Sequence, residues 1–213
     1  MADFDFRLCG KIAIMGGAFD PIHYGHLVTA QAVYDNFDVD RVVIMPLGDA
    51  PHKEMNGAAA AQRYEMAEAA VKDNPAFAVS PMEVNRAGKT YTVDTISEIK
   101  RINPGLTVYF VMGADEIQSI ETWRQPERLL KLCSIIAVTR PGFDTAHIKQ
   151  IIGRVKEKYG CEIYFLEVPS LDISSTDLRE RIKEGRAVRY LMPHEAEKYI
   201  DEHDLYKEGN DNA

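Results

Sequence analysis

Cysteine is scarce and scattered. Only Cys9, Cys133 and Cys161 occur, an odd number with no C-x-x-C pair, so neither a zinc site nor a disulfide framework is indicated. Cys133 and Cys161 sit in or beside apolar runs and read as small buried hydrophobes. Long apolar runs are missing too: none approaches the roughly 20 residues a bilayer span needs. The first ten residues carry Asp3, Asp5 and Arg7 and lack a basic start followed by an apolar stretch. They do not read as a secretory signal, and the cytoplasm is the expected location. Basic charge is in short supply, with 25 Lys and Arg against 33 Asp and Glu, a net charge of -8. Such a chain has no sequence-independent attraction to nucleic acid, so a polyanionic partner must be small and held by a local cluster. Neither G-x-x-x-x-G-K-[ST] nor G-x-G-x-x-G occurs, which removes the main support for P-loop kinases and ordinary dinucleotide dehydrogenases.

What is present suits a globular enzyme. The 213 residues are 46% hydrophobic and 27% charged, enough apolar side chain for a real core. Short apolar runs predict strands at residues 11–15, 41–46, 77–82, 106–112, 134–139 and 162–168. Apolar residues at helical spacing predict helices at 25–37, 58–72, 92–102, 146–159, 174–184 and 193–202. Strands alternating with helices imply an α/β fold: a Rossmann-like, doubly wound parallel sheet with helices on both faces. No repeat or linker divides the chain. We expect an N-terminal extension over 1–10, one domain over 11–206 and a frayed polar tail over 207–213.

In such a sheet, ligands bind beyond the carboxyl ends of the strands, where the strand order reverses. Five chemistry-bearing segments fall there: 16–26, 48–53, 113–115, 140–142 and 171–179. Gly16 and Gly17 directly follow a predicted strand, where the missing Cβ permits a sharp turn and close approach to a ligand. Their N–H groups, and the start of the next helix, favour phosphate. His23 and His26 are three apart with Gly25 between them. At a helix start that spacing puts both imidazoles on one side, able to donate to phosphate oxygens. No third metal ligand lies nearby in sequence. A second candidate anion cluster is Arg179, Arg181, Lys183, Arg186 and Arg189; a solvated helix face is the other reading of it.

The segment G-G-A-F-D-P-I-H-Y-G-H over 16–26 resembles the G-x-F-D-x-x-H-x-G-H signature of nucleotidyltransferases that move a nucleoside monophosphate from a triphosphate. The late segment Ile173-Ser174-Ser175-Thr176-Asp177-Leu178-Arg179 resembles that superfamily's I-S-S-T-x-x-R motif. Ser174 or Ser175 can cap the helix that follows, whose N-terminus offers N–H groups to phosphate, with Arg179 one turn further in. The middle of the chain is similar to the nicotinate-nucleotide adenylyltransferases. The matching pieces are Pro51-His52-Lys53, Thr90 to Thr95, Gly113-Ala114-Asp115 followed by Trp123, and Thr139 to Gly142. The resemblance runs from about Lys11 to Tyr206.

It implies transfer of the adenylyl group of ATP to nicotinate mononucleotide, giving deamido-NAD and pyrophosphate. His23, His26, Lys53 and Arg179 would be catalytic. Gly16, Gly17, Ala18, Phe19, His23, His26, Gly113, Asp115, Ile173, Ser174, Ser175 and Arg179 would bind ATP. Lys53, Thr92, Trp123, Arg124 and Arg140 would bind nicotinate mononucleotide. Trp123, the only tryptophan, would stack on the pyridine ring. The backbone amides of Thr92 and Arg124 would receive the nicotinate carboxylate. Arg124 and Ala18 depart from the side chains common in the family; their backbone roles survive this, and the side-chain role of Arg124 stays open. Mg2+ is expected on the phosphates of ATP and not in a protein cage. The partners would be these two nucleotides, with no nucleic acid and no membrane. Nothing in the sequence selects a monomer over a homo-oligomer. One rival is the same chemistry on nicotinamide mononucleotide, phosphopantetheine or glycerol phosphate. Another is a non-catalytic nucleotide sensor on the same fold.

Overall fold

The computed structural model describes residues 4–49, 57–139 and 145–207. Its centre is a six-stranded, all-parallel sheet of β1 (Lys11–Gly17), β2 (Arg41–Pro46), β3 (Phe77–Val79), β4 (Thr107–Gly113), β5 (Ser134–Thr139) and β6 (Ile163–Glu167). The helices are α1 (Tyr24–Asn36), α2 (Ala60–Val71), α3 (Thr92–Ile102), α4 (Pro126–Leu132), α5 (Thr145–Tyr159), α6 (Ser175–Lys183) and α7 (His194–Glu202). The strand order is β3-β2-β1-β4-β5-β6. The chain winds outward from β1, returns across it to β4, and winds outward the other way. The order reverses between β1 and β4, and a crevice opens there at the carboxyl ends. The doubly wound Rossmann-like α/β fold is thus the observed one.

Strand alternation divides the core between two faces. Ile12, Ile14, Val43 and Met45 turn to one side and pack with Val93, Ile96 and Ile99 of α3, Leu129 of α4 and Ile152 of α5. Ala13 and Val42 turn to the other side, under Ala30 and Val33 of α1. Ile44 packs with Met66 and Ala67 of α2 and Ile200 of α7. Strands buried on both faces read as continuous apolar runs, which is why the sequence showed them plainly. Each fully buried Ile contributes about 1.5–3 kcal/mol relative to exposure.

Three features differ from expectation. First, β1 does not stop at Met15. Gly16 and Gly17 stay in the ladder opposite Met45 and Pro46, and Gly17 O accepts from Leu47 N–H at 2.9 Å. The glycines continue the strand, and the turn comes at Phe19, with φ 49°. Second, β3 ends at Val79, short of Met82: Ser80 N–H still donates to Ile44 O at 3.0 Å, and Pro81 has no N–H to continue. Third, α4 and two 3-10 turns, Phe6–Leu8 and Glu116–Thr122, went unpredicted because short segments carry too little periodicity. Near the N-terminus, Phe6 is buried in the core, and Asn103 Nδ2 donates to Phe6 O and Cys9 O at 3.2 and 3.1 Å.

Candidate active site

The loop after β1 is held by a buried arginine. Arg63 on α2 is 1% exposed. Its Nη1 donates to Ala18 O and its Nη2 to Leu47 O, both at 2.7 Å, and its Nε to Ala58 O at 3.1 Å. Three carbonyls satisfy a charge that desolvation would otherwise make costly. Burial pulls this guanidinium below its ordinary value, with Asp20 and Tyr206 acting the other way. Asp20 anchors the loop from the opposite side. Its Oδ1 accepts from Ala58 N–H at 3.0 Å and from Tyr206 OH at 2.6 Å. Burial, then Asp20, pushes the Tyr206 phenol upward.

The loop delivers two stacked imidazoles. His23 is the N-cap of α1 and 3% exposed, and His26 lies in the first turn. Their rings are 3.7 Å apart and 23° from parallel. His23 N–H donates to His26 Nδ1 at 3.2 Å. A ring nitrogen that accepts carries no proton, so neutral His26 has its proton on Nε2 and is a donor there. Gly25 lets the stack sit close, since a Cβ there would lie 3.0 Å from the His23 ring. The first amide of α1 is not open to phosphate as expected: Tyr24 N–H donates to Leu191 O at 3.1 Å.

α6 closes on the same loop. Ser174 Oγ accepts from Asp177 N–H at 3.1 Å and caps the helix. Ser175 does not cap; its Oγ donates to Pro21 O at 2.9 Å. Arg179 Nη1 donates to Asp20 O at 2.6 Å, and a third of its side chain stays exposed. Segments 154 and 159 positions apart are therefore bonded directly. The basic run divides. Arg181 pairs with Asp177 at 2.8 Å and Arg186 with Glu184 at 2.6 Å, while Arg189 lies over the Tyr190 ring. Of these arginines, Arg179 is bonded to the loop.

Beside the loop lies a cleft of about 380 Å³ whose lining includes Gly16, Gly17, Ala18, Gly113, Thr92 and Trp123. Gly17 is in contact range of the Phe19 ring, which also meets His26 edge-on at 5.0 Å, so Phe19 links cleft and imidazoles. Trp123 stands edge-on to Phe110 at 6.1 Å. Thr92 opens α3 after the N-cap Tyr91, so its N–H has no partner within the helix. Arg124 places its guanidinium over the Tyr91 ring at 4.3 Å and 3.7 Å from Asp94, which gives its side chain a packing role. Asp115 precedes the second 3-10 turn. A Cβ on Gly113 would meet its carboxylate, so the Asp115 side chain in this position lies close over that glycine. Ile173 is half-buried against the α2–α7 core. Lys53 and Arg140 lie outside the described residues.

Sequence reading missed Arg63, Tyr206, Tyr91, Glu83 and Glu116 as site components. Arg63 had a signal: it shares the apolar face of α2 with Met66, Ala67 and Ala70. Glu83 and Glu116 both line the cleft. Burial is the main cause raising each carboxyl above its ordinary value, with Asp115 adding to Glu116.

The cytidylyltransferase-like family profile matches residues 14–181. A Thermoanaerobacter sp. protein named probable nicotinate-nucleotide adenylyltransferase is 47% identical, with 95% of this chain and 97% of its own covered. A Moorella thermoacetica protein of the same name is 43% identical, with 93% and 92% covered. Among solved structures, Plasmodium falciparum nicotinic acid mononucleotide adenylyltransferase complexed with NaAD superposes with a TM-score of 0.73 at 21% identity, covering 92% of this chain and 97% of that one. That likeness shows the shared fold.

Proposed function

Since the chain belongs to the nicotinate-nucleotide adenylyltransferases of the cytidylyltransferase-like family, we propose that it transfers the adenylyl group of ATP to nicotinate mononucleotide in NAD biosynthesis. The products are deamido-NAD and pyrophosphate. The observation that carries this reading is the stacked histidine pair, held by a loop to which α6 is bonded.

The 5′-phosphate of the acceptor attacks the α-phosphorus of ATP, and pyrophosphate leaves. The substrate supplies the nucleophile, so the protein positions two polyanions and stabilises developing charge. His26 donates from Nε2 to the transferring phosphate, with His23 stacked beside it. Ser175 opens α6, and its hydroxyl proton is engaged on Pro21 O, so its contribution to the triphosphate is its backbone N–H. The Ser174 oxygen accepts in the cap, which leaves its proton for phosphate. Arg179 and Lys53 add positive charge. Gly16, Gly17, Ala18, Phe19, Gly113, Asp115 and Ile173 form the ATP side of the site. Trp123 takes the pyridine ring, the amides of Thr92 and Arg124 take the carboxylate, and Arg140 completes that side. An acid is preferred over an amide there, because an NH₂ would face N–H donors with a donor.

Magnesium would be carried by the phosphate oxygens of ATP. Among the described residues, no three His, Cys, Asp or Glu come together. When bound, the ion neutralises charge on the transferring and leaving groups. We place the reaction in the cytoplasm, carried by one domain over 11–206. No helix among the described residues is long and apolar enough to cross a membrane. The deciding experiment measures pyrophosphate release from ATP with nicotinate mononucleotide and nicotinamide mononucleotide side by side. Faster release with the acid is expected. Equal rates remove the acid preference, and no release with either removes the proposal.

A further inference from the structure

We infer that Glu83 provides the counter-charge for the cationic ring of the acceptor, a role that rests on the acceptor being a pyridinium nucleotide. Glu83 lines the cleft with Thr92 and Trp123, yet it is only 5% exposed. Its Oε1 accepts from Thr95 Oγ1 at 2.6 Å. Arg86 Nη1 donates to the same Thr95 oxygen at 2.6 Å, which leaves the threonine proton available to Glu83. Arg86 Nη2 is engaged with Glu98 at 2.6 Å. Thr90, the other hydroxyl beside Glu83, donates to Asp49 O at 3.2 Å. Oε2 of Glu83 makes no hydrogen bond among the described residues, and Thr90 and the Arg86 guanidinium only partly offset the burial of the carboxyl.

A carboxyl with one oxygen satisfied and the other buried without a hydrogen bond is costly. The cleft supplies a reason to keep it. Its charged lining residues are Glu83 and Glu116, with no Lys or Arg among the described lining. Those two carboxylates attract a cation. A nicotinate nucleotide is a cation at the ring and an anion at both ends. Two acidic walls would draw the ring inward and leave the phosphate on the side of the imidazoles. The Glu83 oxygens are shielded from water, so their charge is felt through protein and weakly screened. Burial raises the empty-site cost of the Glu83 charge, and a bound pyridinium offsets it.

The test uses Glu83→Gln, which keeps the shape and the acceptor for Thr95 but removes the charge. The KM for nicotinate mononucleotide should rise about tenfold, while kcat and the KM for ATP stay within about twofold. A binding measurement by calorimetry compares the pyridinium nucleotide with its 1,4-dihydropyridine form, whose ring is uncharged. Wild-type protein should favour the charged ring, and the substitution should shrink that preference about tenfold. An unchanged preference, or equal rises in both KM values, overturns the inference. Equal binding of the two forms by wild-type protein overturns it without any variant. A wild-type enzyme inactive with every pyridine nucleotide would overturn the functional reading instead.

Discussion

The two ends of the crevice are built on opposite plans. At the loop end, polar groups from distant segments bond to one another: Arg63 to Ala18 and Leu47, Ser175 to Pro21, Arg179 to Asp20. At the α3 end the cleft is lined by apolar side chains, threonines and two carboxyls, the Thr92 amide has no partner within its helix, and Glu83 Oε2 makes no hydrogen bond among the described residues. A transferring phosphoryl group gains most from donors fixed before the reaction, because nothing then reorganises in the transition state. A flat cationic ring needs area, an aromatic face and opposite charge. Rigid polar scaffolding serves the first task, and a partly unsatisfied cleft serves the second.

That contrast can be broken at several points. His26→Ala should lower kcat by roughly 10²–10³ at saturating ATP in a folded protein, the cost of one transition-state donor. A near-normal kcat would remove the loop end's catalytic role. Arg63→Met should leave three carbonyls without their donor and cost about 3 kcal/mol, read from urea unfolding. A neutral result would show that the loop is held by other contacts. Trp123→Ala should raise the KM for nicotinate mononucleotide about tenfold with ATP little affected. Equal losses for both substrates would make that tryptophan a packing residue for the whole site.

Smaller effects test the polar scaffolding and the acidic wall. Ser175→Ala should destabilise by about 1 kcal/mol through loss of the bond to Pro21 O, measured by thermal unfolding. Its activity should fall less than that of the histidine variant, because the α6 amide remains. The Glu83 carboxyl is raised in the fold by burial. A raised acid favours the folded state while protonated and loses that contribution as pH climbs through its folded value. Glu83→Gln should therefore raise the Tm at neutral pH. The gain should fade below about pH 4, where the carboxyl is protonated in the folded and unfolded chain alike. A gain that persisted in acid would place its origin outside the charge.

The fold was legible because its strands are buried on both faces. KIAIM, RVVIMP and SIIAVT have little choice but the centre of a parallel sheet. The family signatures were legible for a related reason: His23, Gly25 and His26 act within one turn, so their spacing is their geometry. Gly16 and Gly17 were misread locally, because a glycine pair does not say whether it turns or lets a neighbour lie close. The Phe19 ring packed against Gly17 answers that.

By itself the sequence determined the sheet, the helix faces, the histidine pair and the late serine-arginine motif, all of which depend on residues close in the chain. Only the tertiary structure decided that Ser174 caps while Ser175 reaches Pro21, that Tyr206 holds Asp20, and that Glu83 enters the cleft wall. These are contacts between segments far apart in the chain. Their partners are set by how α2, α3, α6 and the C-terminal segment pack on the sheet, and no local pattern encodes that.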